Sequence, residues 1–196
     1  MKTFIILLTV LGITGNLFGQ GKVNAALQKQ IFALFETDQK WRNEYNKINN
    51  NEKSVYDEAT INREWVNADR SNLIVAKKIV QEYGFPGYSL VGQEGSNKFW
   101  AIIQHCDDDL AFQKKVSTMM DNEVKSHNAS PENLAMLKDR ILVSEGKKQI
   151  YGTQVRYNKD KKKSEPFPIE DPNNVDCRRK SVGLSPLAIY LKLFNR

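Results

Sequence analysis

The chain has 196 residues, with 29 lysines and arginines against 23 aspartates and glutamates, a formal charge of +6. Much of the excess sits in residues 159–163 (KDKKK), a lysine run in polar surroundings that reads as a solvated loop. A nucleic-acid or membrane-surface patch spreads its bases along one face with arginines and aromatics between them; that pattern is absent, which excludes nucleic acid as the expected partner.

The first 19 residues read as a secretory leader. Met1 and Lys2 give a positive start, residues 4–18 are uncharged and largely apolar, and Gly19 supplies a small residue before the cut, leaving Gln20 first. The apolar run is shorter than the roughly 20 residues that span a bilayer. No cysteine follows it, which argues against a lipid anchor. The expected product is an exported protein, periplasmic or extracellular, made of residues 20–196. That length is one domain's worth and can bury a core without metal or disulfide staples. No later segment is apolar enough to cross a membrane. Export permits the two cysteines, Cys106 and Cys177, to pair, but their spacing leaves the geometry open.

In chain order, the first element is a helix over residues 23–48. Leu27, Ile31, Leu34, Phe35, Trp41, Tyr45 and Ile48 recur at spacings of three and four and make one apolar stripe. Residues 49–53 break it. A short helix is expected over 58–67 and another over 70–83, stopped by Gly84 and Pro86. Residues 85–95 (FPGYSLVGQEG), rich in glycine and proline, read as a packed loop. A helix over 96–106 follows, then one over 110–125. Ser130 and Pro131 cap and open the next, which runs to about residue 143.

Beyond Gly146 the pattern changes. Residues 149–157 (QIYGTQVRY) are rich in β-branched and aromatic side chains and read as a strand or hairpin arm. Asp171-Pro172 opens a helix ending near Gly183, and Ser185-Pro186 opens the last, through Phe194. With no internal repeat and no low-complexity linker, the expectation is a mainly α fold, a single compact helical domain with at most a small β-hairpin.

Several residues stand out chemically. Asp38 falls on the apolar stripe one turn before Arg42, and a carboxylate on a buried seam needs a partner; spacing alone favours a structural ion pair over a carboxylate facing a cleft. His105, beside Gln104, is a candidate acid, base or ligand, although a lone histidine on a partly apolar face is more often a satisfied core residue. Tyr151-Gly152-Thr153-Gln154 offers uncharged donors and acceptors around a glycine, suited to orienting a ligand or to stabilising a turn. Asp139-Arg140 and Arg178-Arg179 place arginines that can grip an anion or hold helices together. His127 sits in a polar loop. No phosphate loop, dinucleotide fingerprint, nucleophile elbow or zinc helix motif occurs, no spacing recommends a metal, and no cofactor is indicated.

Tyr83-Gly84-Phe85-Pro86, Ser89-Leu90-Val91-Gly92, Gln104-His105, Asp139-Arg140, Glu145-Gly146, residues 149–154 and residues 171–179 leading to Gly183-Leu184 follow one another in an order that resembles a bacterial family catalogued as domain of unknown function 6624. Asp38 and Arg42 look like an aspartate and an arginine of that family's first helix. The likeness covers nearly all of the chain after the leader, and it implies no activity. Cys106 and Cys177 depart from the family's pattern, so a disulfide would be local to this protein.

Two functional readings follow. One is a binding or interaction domain of the cell envelope, with a polar pocket lined by His105, Tyr151, Thr153 and Gln154 for a small molecule or envelope component. The other is a hydrolase-like enzyme in which His105 is a general acid/base oriented by Asp38 or Asp139. The enzyme reading requires His105 to open into a cleft with a carboxylate within hydrogen-bond reach, and the binding reading requires a pocket without that dyad.

Overall fold

Polar caps and glycine stops set the helix ends of this chain, and a computed structural model describes residues 23–195 of it; the expected leader lies outside those residues. Asn24 Oδ1 accepts from Leu27 N at 3.0 Å and starts α1, Ala25–Asn49. Asp57 does the same for Thr60 N at 2.6 Å and starts α2, Glu58–Tyr83. Gly84, at φ 71°, ends α2, since a residue without Cβ takes the left-handed turn at low cost. The helices α3 (Tyr88–Gln104), α4 (Leu110–Lys125) and α5 (Pro131–Ser144) follow.

Contacts divide the chain into two compact units, one running to Ala129 and one beginning at Ser130. In the first, α1 packs on α2 and α3, and α4 adds to α3. Its core is built from Leu27 and Ile31 of α1, Ile61, Ala76 and Ile79 of α2, Phe99, Ile102 and Ile103 of α3, and Val116 and Met120 of α4, all buried. The second unit contains α5 and an antiparallel hairpin of β1 (Val155–Asn158) and β2 (Lys163–Pro166), in register from Val155 opposite Pro166 to Asn158 opposite Lys163. A 3₁₀ turn (Pro172–Asn174), α6 (Val175–Ser181) and the short α7 (Leu187–Leu191) complete it. Leu134, Leu137, Ile141, Val155, Val175 and Leu184 are its buried apolar residues. The fold class is mainly α with one small hairpin. No helix among the described residues is long and apolar enough to cross a membrane.

Four expectations about elements need correction. Residues 58–83 are one helix, not two: the polar Asn67 and Asp69 lie on its flanks, while Ala68 and Asn72 face the core. Residues 88–95 are helical, not a packed loop. Gly92, at φ 72° and ψ 164°, puts a kink inside α3 instead of ending it, and Gln28 Nε2 donates to the Val91 carbonyl at 2.9 Å beside the break. The strand expected over 149–157 is confined to β1, although Gln149 forms an isolated bridge with Ile169. The last helix ends at Leu191, short of Phe194. The lysine run forms the exposed hairpin turn, with Lys163 as the first residue of β2.

Candidate functional site

The first unit gathers Asp38, Arg42, Asp69 and His105. Asp38 and Arg42 are one turn apart on α1, Asp69 is on α2, and His105 caps the C-terminus of α3. Asp38 is 1% exposed, and a carboxylate so placed must be compensated. His105 Nδ1 lies 2.8 Å from its Oδ1 and 2.9 Å from its Oδ2. Arg42 Nη1 is 3.1 Å from Oδ1, and Gln39 Nε2 donates to Oδ2 at 2.7 Å. Burial pushes the Asp38 carboxyl up, but the charge and hydrogen bond of His105, with Arg42 and Gln39, outweigh it and hold the group below the usual carboxylate range. An ionised carboxylate only accepts, so Nδ1 is the donor and carries the proton. Nε2 has no hydrogen-bond partner among the described residues, and the side chain keeps 14% exposure.

Arg42 ties this pair to a second carboxylate. Its Nη2 donates to Asp69 Oδ1 at 2.9 Å, its Nη1 also donates to the Asp38 main-chain carbonyl at 2.9 Å, and its guanidinium lies 4.8 Å from the Trp65 ring centre. Burial raises the Asp69 carboxyl against the pull of Arg42. Gln104 is buried at the end of α3, and its carbonyl accepts from Gln113 Nε2 at 3.4 Å. Gln113, itself buried, also donates to the Ile103 carbonyl at 3.1 Å, so it gathers the loose carbonyls that precede His105. Sequence reading missed Asp69 and Gln113. For Asp69 the available signal was its place four residues after Trp65, once 58–83 is taken as one helix.

The second unit holds Asp139, Arg140, Tyr151, Thr153 and Gln154. Asp139 is fully buried on α5, with Arg140 half-buried beside it. Its carboxylate accepts from Ile150 N at 2.7 Å, Tyr151 N at 3.0 Å, Thr153 N at 2.9 Å and Thr153 Oγ1 at 3.0 Å. Burial raises this carboxyl despite those donors. The loop it holds turns at Gly152, φ 71°, where an added Cβ would stand 2.8 Å from Ile169 Cδ1 and 3.0 Å from Leu187 Cδ1. Gln154 is buried, with Nε2 donating to Thr153 Oγ1 at 3.2 Å and to the Met136 carbonyl at 3.5 Å. Arg179 is fully buried and donates to the carbonyls of Ser185 at 2.6 Å and Tyr151 at 2.7 Å, while Arg178 Nε donates to Ile150 O at 2.9 Å. Tyr190 OH donates to the Thr153 carbonyl at 2.9 Å, and burial pushes its phenol up to about 12. The polar atoms of residues 149–154 are thus largely engaged in holding their own loop.

Both cysteines are free thiols: Cys106 is buried and burial pushes its thiol up, whereas Cys177 is exposed. His127 is exposed, in a turn at φ 56°. No group of three or more His, Cys, Asp or Glu among the described residues is arranged to hold a metal. Two concavities of about 370 and 390 Å³ are lined by β2 and α7 residues such as Ser164 and Leu191, and by Lys77, Asp109 and Phe112 respectively; His105 lines neither.

Among known proteins, no curated protein and no solved structure matches the chain. One family model does, over residues 25–196, and by that match the chain belongs to the family described as Family of unknown function (DUF6624).

Proposed function

We propose that this chain is an exported acid/base enzyme of hydrolytic type, with His105 as the proton-transferring group and Asp38 as the residue that orients it. The observation that carries the reading is the contact of His105 Nδ1 with both oxygens of the buried Asp38 carboxylate, which leaves Nε2 available to take a proton. A fixed Nδ1–H donor makes Nε2 the base, and the carboxylate compensates the positive charge the ring gains. Arg42 and Gln39 hold that carboxylate in turn, so the ring is oriented by a small network rather than by one bond. In hydrolysis Nε2 removes a proton from water as the water oxygen bonds to the acyl carbon. The bond to the leaving group then breaks, and the ring returns the proton. The leader-like residues 1–19 support placement outside the cytoplasm.

Between the two roles expected for His105, its bonding favours acid/base chemistry over ligand orientation in common with Tyr151, Thr153 and Gln154. The Thr153 and Gln154 side chains already have partners in their own unit.

The test is hydrolysis of p-nitrophenyl acetate, a small activated ester, by the purified protein and by His105→Ala, Asp38→Asn and His127→Ala. The expected result is turnover by the parent and by His127→Ala, its loss in His105→Ala and its reduction in Asp38→Asn. A parent protein no faster than His105→Ala overturns the reading.

A further inference from the structure

We propose that Trp41 and Tyr56 form a binding notch for an alkylammonium group, a notch that the chain's own Lys40 fills. The two ring centres are 5.0 Å apart and the planes meet at 64°, a corner rather than a stack. Lys40 Nζ stands 4.4 Å from the Trp41 centre and 5.5 Å from the Tyr56 centre, so one ammonium lies within cation–π range of both rings. Such a corner is how aromatic cages take methylated ammonium groups: each ring offers its negative face and the cation needs no hydrogen bond.

Lys40 is exposed and makes no ion pair among the described residues, so the rings are what hold its end group. The notch is also pre-formed. Tyr56 N donates to Ser54 Oγ at 3.0 Å, and Ser54 Oγ donates to Glu44 Oε2 at 2.7 Å, which ties the Tyr56 segment back to α1 next to Trp41. The carboxylates of Glu44 and Glu64 lie close enough to feel the Lys40 charge, so the surroundings suit a cation. A flexible lysine is a weak occupant because holding it still costs side-chain entropy, and a compact quaternary ammonium carries no such cost. This notch is separate from the Asp38–His105 pair and does not depend on its chemistry.

The experiment titrates tetramethylammonium chloride, against sodium chloride at equal ionic strength, into the protein and into Lys40→Gln, Trp41→Leu and Tyr56→Leu. Binding is read by saturation transfer to the methyl protons. Lys40→Gln vacates the notch and is expected to bind roughly two- to fivefold tighter than the parent, the worth of one exposed cation–π contact. Trp41→Leu and Tyr56→Leu, each combined with Lys40→Gln, are expected to lose that binding; should the tryptophan variant fail to fold, the tyrosine variant decides. A second arm with phosphatidylcholine vesicles separates the sources: co-sedimentation lost on Tyr56→Leu assigns a lipid headgroup, and binding of the free ion alone assigns a small solute. A Lys40→Gln protein that binds no tighter than the parent, or binding that survives loss of the rings, overturns the proposal.

Discussion

His105 Nδ1 faces both oxygens of Asp38, at 2.8 and 2.9 Å, and the same carboxylate is 3.1 Å from Arg42 Nη1. The ion pair expected from the i, i+4 spacing of Asp38 and Arg42 is therefore present, and it also fixes the histidine. Of the two readings of Asp38, the structural ion pair is the one present, since the carboxylate is buried rather than turned to a cleft.

Removing Asp38 should be costly. Taking one partner from a buried ion pair costs about 3–5 kcal/mol. Arg42 and His105 retain 13% and 14% exposure, so Asp38→Ala should fall at the lower end, about 3 kcal/mol. Urea denaturation followed by circular dichroism measures it. A loss below about 1 kcal/mol, the worth of a surface pair, contradicts the network described.

The pH dependence of stability follows from the direction of the Asp38 shift. Its folded-state carboxyl titrates below the unfolded one. Its contribution is therefore complete above the unfolded value, about 3.9, and is lost as pH falls through the lower folded value. Asp69 and Asp139 have the opposite sign. Their ionisation costs stability, a cost that grows as pH rises from the unfolded value through the folded one. Thermal melts from about pH 6 to about pH 2 should show a shallower acid-side loss for Asp38→Asn than for the parent. Identical slopes contradict the assignment.

In the second unit, Asp139→Ala removes the acceptor for three backbone N–H groups and the Thr153 hydroxyl at once. Each buried donor left unsatisfied costs about 1–3 kcal/mol, so the total should exceed about 3 kcal/mol. Amide exchange at Ile150, Tyr151 and Thr153 should accelerate in Asp139→Ala and less so in Asp139→Asn, which keeps one acceptor. Unchanged protection at these amides contradicts the loop-holding role.

The free thiols should behave differently. Cys177 is exposed, while Cys106 is buried with its thiol pushed up, and the thiolate is the reactive form. A thiol reagent such as 5,5′-dithiobis(2-nitrobenzoate) should label Cys177 alone in the native protein and both cysteines after denaturation. Failure to label either thiol in the denatured protein indicates a disulfide instead.

Much of the helical frame is written locally. Asp109 and the Ser130-Pro131 pair mark the starts of α4 and α5, because a cap side chain bonding two or three residues ahead is a short-range event. What sequence reading missed depends on distant contacts. Gly92 looks like a helix breaker, yet α3 resumes beyond it, and the Val91 carbonyl is met by Gln28, 63 residues earlier. Asp69 fell in the gap between two expected helices, so its link through Arg42 to Asp38 was not visible. Asp139-Arg140 reads as an anion grip or as a pair that holds helices together, and neither reading contains the bonds that the Asp139 carboxylate accepts from a loop whose shape is set by the positive φ at Gly152. His105 and Asp38 were both recognisable as candidates from residue type and position. That they meet follows from packing α1 against α3, which no local spacing encodes.

The measurement that bears most directly on the acid/base account is a ¹⁵N–¹H NMR determination of the tautomer of the neutral His105 ring in the parent and in Asp38→Asn. The account predicts that neutral His105 carries its proton on Nδ1, held by Asp38, with Nε2 unprotonated, and that Asp38→Asn disturbs this tautomer. A neutral ring protonated on Nε2, or a tautomer that Asp38→Asn leaves unchanged, contradicts it.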